Sequence, residues 1–120
     1  MKNLLIFIGL VLFSLNSFAG VKDTLIQKGN TIEYTARYSN GNLKEIGHYN
    51  LQKQRSGYWA TYFENGNVMI EARFKDNKKH GEWRHYSSDG KLIAIIQYKR
   101  NKVKDYVIID EEKGLLASDR

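Results

Sequence analysis

The chain has 120 residues, no cysteine and no proline, and 19 basic against 13 acidic residues, for a formal net charge of +6. That length is one domain, and the lack of cysteine excludes both a disulfide framework and a lipid-modified cysteine. The charge is basic but not extreme.

The first predicted element is a leader. Lys2 supplies a basic start, residues 4 to 15 form an apolar run broken only by Gly9 and Ser14, and Ser17 and Ala19 place small side chains before a cut preceding Gly20. This layout predicts a cleavable signal peptide over residues 1–19. The run is too short for a membrane span, which needs about 20 apolar residues. A small exported domain without disulfides points to a bacterial envelope, periplasmic or secreted. Ordering the remaining hundred or so residues costs on the order of 100–200 kcal/mol of conformational entropy. A flat one-layer sheet is not expected to hide enough apolar surface to offset that cost.

Residues 20–37 read as a lead-in, with strands over 24–27 and 32–38. From residue 38 to 110 the chain repeats. The run from Gly57 to Val68 aligns without a gap on the run from Gly81 to Leu92 as G-x-W-x-x-Y-x-x-x-G-x-[VL]. Gly57, Trp59, Tyr62 and Gly66 thus recur as Gly81, Trp83, Tyr86 and Gly90. A partial copy begins at Tyr38, and a degraded one closes the array, with Asp105 in place of the glycine and Val107 in place of Trp. The chain therefore holds two to three copies of a roughly 24-residue hairpin. Residues 111–120 remain as a tail.

Within each copy, Asn40-Gly41, Asn65-Gly66 and Asp89-Gly90 predict short turns with positive φ. The alternate connections, 50–56, 75–80 and 99–104, read as longer, polar and lysine-rich. Strands are expected over 43–49, 58–63, 68–74, 83–86, 92–98 and 106–109, all antiparallel to their neighbours. The fold class is all-β: an open antiparallel meander of tandem hairpins. Period-two alternation puts Leu43/Val68/Leu92, Glu45/Ile70/Ala94, Gly47/Ala72/Ile96 and Tyr49/Phe74/Tyr98 on one face, the core. Trp59 and Trp83 are expected as core anchors, Tyr62 and Tyr86 as exposed aromatics of opposite parity. Ile93 and Ile95 need cover, from residues 115–117 or from a partner.

The repeated pattern resembles the bacterial variant of the MORN repeat, the membrane occupation and recognition nexus motif, over residues 38 to 110. The resemblance implies twisted hairpins stacked into an open, elongated sheet with no catalytic residues of its own. Similar bacterial chains are often labelled antitoxin components of toxin–antitoxin pairs.

The residues themselves give catalysis little support. There are three histidines, no recurring Ser/His/Asp grouping and no Gly-rich phosphate loop before a helix. Three convergent metal ligands are not in evidence at His48, His80 or His85, so neither metal nor cofactor is expected. Glu71 and Glu82 lie on adjacent strands, as a glycosidase pair would, but Arg73 and Arg84 beside them suit ion pairing. No enzyme and no small-molecule substrate is expected.

Charge distribution is more informative. In a meander, alternate turns emerge at opposite edges. One edge therefore collects Lys53, Arg55, Lys75, Lys78, Lys79, Lys99, Arg100, Lys102 and Lys104 against only Asp76 and Asp105. Such lysines also keep sheets from associating edge to edge. Three functions stay open. The first is a non-enzymatic protein-interaction module of the envelope, using Tyr62, Tyr86, the basic edge or a free sheet edge. The second is binding of an anionic membrane or glycan through the basic edge. The third is an antitoxin or immunity-type protein. Nucleic acid is not an expected partner, because no base-reading motif occurs.

Overall fold

A computed structural model describes residues 10–11, 23–110 and 114–116. The leader read at 1–19 and the tail at 111–120 lie outside the described residues, apart from one short strand in each. The strands are β1 (Leu10–Val11), β2 (Thr24–Lys28), β3 (Thr31–Arg37), β4 (Leu43–Asn50), β5 (Arg55–Tyr62), β6 (Val68–Lys75), β7 (Lys78–Lys79), β8 (Gly81–Tyr86), β9 (Leu92–Lys99), β10 (Lys102–Asp110) and β11 (Gly114–Leu116). They form one antiparallel sheet in chain order, with the short β7 pairing β6 just before β8 takes over. Each short connection forces the next strand alongside the last, so the meander expected from the turn spacing is the observed topology.

The expectation that one layer cannot suffice is overturned. The described strands make a single sheet, and among the described residues six apolar ones are buried: Ala36, Trp59, Ala60, Ala72, Trp83 and Ala94. The sheet manages this by laying large rings over small residues. Trp59 is 1% exposed, and its indole lies so close over Gly47 that a Cβ there would come within 2.0 Å of Trp59 Cδ2. Its Nε1–H donates to the His48 carbonyl at 3.1 Å, as Trp83 Nε1–H does to the Arg73 carbonyl at 3.0 Å. The buried donors are satisfied by the neighbouring strand, so the rings lie down along the sheet.

The rings connect into a ladder. Tyr34, Tyr49, Trp59, Phe74, Trp83 and Tyr98 follow one another at centroid separations of 5.0 to 6.1 Å, mostly edge to face, a geometry worth about 0.5–1.5 kcal/mol per pair beyond area burial. The predicted core face is therefore the observed one. Tyr34 opposes Gly47 as Trp59 opposes Ala72, so Tyr34 holds the Trp position of a further copy that begins in β3. In the degraded copy, Tyr106 rather than Val107 takes the Trp place. A bulge between Val103 and Asp105 puts Tyr106 opposite Ile96, the residue that Trp83 faces from the other side.

The turn reading is inverted in two hairpins. Lys75 pairs with Lys78 across a two-residue turn at Asp76-Asn77, with φ of 49° and 70°, and Lys99 pairs with Lys102 across Arg100-Asn101, with φ of 50° and 71°. These are type I′ turns, in which both central residues are left-handed and asparagine is tolerated. At the other edge only the glycines are left-handed: Gly41, Gly66 and Gly90, with φ of 92° to 96°. Gly66 N–H donates to the Phe63 carbonyl at 3.0 Å while Phe63 N–H donates to that of Asn67 at 2.8 Å, a type I turn closed by a glycine bulge. Lysine-edge connections look long in sequence because β7 and the bulge at His80–Gly81 follow the turn.

Asparagines then tie each hairpin to the next. Nδ2 of Asn40 and Asn42 donate to the Glu64 carbonyl at 3.0 and 2.8 Å, and Nδ2 of Asn65 and Asn67 to the Ser88 carbonyl at 2.8 and 2.9 Å. At the lysine edge, Asn77 N–H donates to the Arg55 carbonyl and Asn77 Oδ1 accepts from Arg55 N–H, at 2.9 and 2.7 Å. Asn101 repeats this with Lys79. The asparagines thus clamp both edges of the array. Among the described residues β11 pairs with β10 as a further strand of the sheet, and Ile93 is 43% exposed.

Two outcomes are expected. Gly47→Ala forces Trp59 off its seat and costs about 1–3 kcal/mol, read as a lowered urea midpoint with a red-shifted tryptophan emission. Asn77→Gly keeps the left-handed turn but removes the side-chain acceptor. It should cost about 0.5–1.5 kcal/mol and speed hydrogen exchange at the Arg55 amide.

Candidate binding surface

The nine basic residues of the lysine edge do not act as a single set. Arg55 folds back over the ladder, its guanidinium 4.4 Å from the Trp59 ring and 5.4 Å from Phe74, with Glu45 at 3.7 Å. One repeat on, Lys79 sits 4.9 Å from the Trp83 ring and 5.0 Å from Tyr98. Their alkyl stems cover the rings and their charges meet the π faces, a contact worth about 0.5–2 kcal/mol. Both are therefore lids on the core, not members of a free basic edge.

Four others gather on the opposite face. Phe74 opposes Lys79 on the aromatic side, so the next pair along, Lys75 and Lys78, lies on the other side; the same parity places Lys99 and Lys102 there. These are two like-charge cross-strand pairs in successive hairpins. Such pairing is destabilising, by a few tenths to about 1 kcal/mol each. Lys53 and Arg100 occupy turns, and Lys104 lies at the β10 bulge. All seven are exposed, and among the described residues none of them is within ion-pair distance of a carboxylate. Asp76, in the turn between Lys75 and Lys78, accepts from Asn50 Nδ2 at 3.3 Å.

The tyrosines expected to be exposed are half-buried. Tyr86 donates to Glu71 Oε1 at 2.5 Å and Tyr58 to Glu71 Oε2 at 2.9 Å. The Tyr62 carbonyl accepts from the Tyr38 hydroxyl at 2.6 Å, and burial pushes the Tyr62 hydroxyl pKa up. Strand parity gives the face these rings lie on but not the partial burial or the bond to Glu71 that holds Tyr86 in place. Glu71 is held below the usual glutamate range, first by the Tyr86 hydroxyl and also by Tyr58, Arg84 and Arg73, against burial acting the other way. Tyr58 is pushed up to about 12 by burial and by its bond to Glu71. Glu82 pairs with Arg84 at 2.6 Å. The two carboxylates singled out in the sequence are thus engaged in a balanced polar cluster with Arg73 and Arg84, lining a shallow cavity of about 170 Å³ with Tyr58 and Ala72.

His85 stacks on Trp83 at 6.5 Å, and its pKa is lowered by burial and then by Lys79. His48 lies 3.9 Å from Glu33 on the opposite face. No three His, Asp or Glu side chains among the described residues converge as a metal site would require. The structural glycines are where the repeat places them. Gly57 and Gly81 are left-handed, with φ of 72°, and lie at the bulges that precede each Trp.

Three hairpins sharing one ring position, one turn chemistry and one clamp define a class of stacked-repeat protein. The family model for the MORN repeat variant matches residues 30–51, 55–76 and 79–100. The chain therefore belongs to the MORN repeat variant family, a family of repeat modules that bind proteins or membranes. The first matched unit takes in β3, read from sequence as a lead-in. No curated protein matches the chain.

The signals missed in the sequence were Tyr34, which lies 25 rather than 24 residues before Trp59, and the 24-residue spacing of Arg55 to Lys79 and of Asn77 to Asn101. Glu71 yields a pH test. Its depressed folded pKa means that its contribution is complete above its unfolded value of about 4.3 and is lost as pH falls through the folded value. Glu71→Gln should therefore flatten the acid limb of the stability curve below about pH 4.5, measured by urea unfolding across pH.

Proposed function

We propose that this protein is a non-enzymatic repeat module of the cell envelope that binds an anionic partner through its lysine-bearing hairpin edge. One observation carries the reading: two lysine pairs, Lys75/Lys78 and Lys99/Lys102, face each other across strands, and among the described residues no carboxylate lies within ion-pair distance of them. A fold that spends stability on like-charge pairing, while drawing Arg55 and Lys79 inward, holds an unneutralised surface for a partner that supplies the opposite charge. The engaged tyrosines favour this surface over an interface centred on Tyr62 and Tyr86. Export follows from the same reading: residues 1–19 carry the three-part leader pattern.

Two measurements test it. Binding of the purified protein to acidic envelope extract should fall steeply between low and physiological salt; retention that is indifferent to salt would exclude an electrostatic contact. Mass spectrometry of the exported protein should find Gly20 at its N-terminus, and an intact Met1 would remove the envelope assignment.

A further inference from the structure

We infer that the partner of the lysine edge is a linear polyanion lying across the strands, a reading that rests on the proposed function and narrows it. The four paired lysines stand on consecutive strand positions, β6, β7, β9 and β10, with β7 continuing into the β8 line. At about 4.8 Å between strands, they span roughly 15 Å along the array, with the second pair set back from the first, since Asn101 at the tip of the second turn bonds to Lys79. The row begins abruptly. In the preceding hairpin the places equivalent to Lys75 and Lys78 hold Asn50 and Gln54, and Asn50 Nδ2 donates to Gln54 Oε1 at 2.9 Å. The cations are therefore concentrated in the second half of the edge.

The shape of this row favours a chain over a plane. A flat bilayer meeting the hairpin edge head-on reaches the turn residues first, and these are Asp76-Asn77 and Arg100-Asn101, one acidic, two neutral and one basic, with no net charge. The lysines stand one residue back from the turns and on one face only. On the other face, Arg55 and Lys79 are withdrawn over the rings. An extended polymer laid over that face meets all four ammonium groups in succession, and its closely spaced anions would screen the repulsion within each pair. Lysine is a compact point charge without a planar fork. The row therefore reads charge spacing and does not distinguish phosphate from carboxylate.

The test uses the full chain, an inorganic polyphosphate, a polyuronate, and vesicles of equal parts phosphatidylglycerol and phosphatidylcholine. The variant carries Lys75→Gln, Lys78→Gln, Lys99→Gln and Lys102→Gln. A control removes the same charge elsewhere through Lys28→Gln, Arg37→Gln, Lys44→Gln and Lys91→Gln. Because the four target side chains are exposed and none has an ion pair among the described residues, the variant should keep the wild-type circular dichroism. Both polymers should bind the wild type more tightly than vesicles do, with a log–log salt slope near −3 for four released counterions. The variant should lose at least about tenfold in affinity for both polymers, and the control should lose much less. Equal loss in variant and control would overturn the row as a site. Preference for vesicles, lost in the variant, would overturn the linear partner and leave the anionic-partner reading standing. Binding to none of the three probes at low salt would overturn both.

Discussion

The Trp59 indole lies flat against the backbone at Gly47, donates its N–H to the His48 carbonyl, and is almost wholly hidden. One repeat later, Trp83 donates to the Arg73 carbonyl and packs with Ala72 in the same cluster. Much of the fold follows from this contact. A single sheet has no second layer to cover its apolar face, so the cover must come from side chains that lie along the sheet. Small residues on one strand make room for large rings from the next. The ladder from Tyr34 to Tyr98 is that cover, extended across the repeats.

Because the ladder is one ring thick, its outer surface also needs covering, and cations supply it. Arg55 and Lys79 hold equivalent places one repeat apart and bury their stems on the indoles. The lysine edge is thereby sorted into two kinds of residue, one serving the core and one left in solvent. The type I′ turns reinforce the sorting. A two-residue turn brings its flanking residues directly opposite each other, so Lys75 meets Lys78 and Lys99 meets Lys102. The same turns place Asn77 and Asn101 where they bridge to Arg55 and Lys79. The geometry that joins one repeat to the next therefore also lines up the unpaired lysines.

The opposite face is not uniform. The Glu71 cluster, with Tyr58, Tyr86, Arg73 and Arg84, occupies positions where the neighbouring copies carry Ile46 and Ile95 in place of Glu71. Its hydroxyls and charges satisfy one another, which explains why Tyr86 is held in and why Glu71 and Glu82 serve packing and ion pairing in the structure.

Much of the architecture was legible in the residues. The in-phase recurrence of Gly57, Trp59 and Gly66 with Gly81, Trp83 and Gly90 determined the repeat, and alternation determined which face is apolar, because a strand sends successive side chains to opposite sides. Turn class was not legible: asparagine followed by glycine suits two turn types, and only the hydrogen bonds at Phe63–Asn67 and the left-handed pair at Asp76-Asn77 separate them. The fate of each cation was also left to the tertiary structure. Arg55, Lys75, Lys78 and Lys79 are the same kind of charge in sequence. Whether one rests on a ring or faces another lysine depends on strand register and bulges, which are set only when successive hairpins lie side by side.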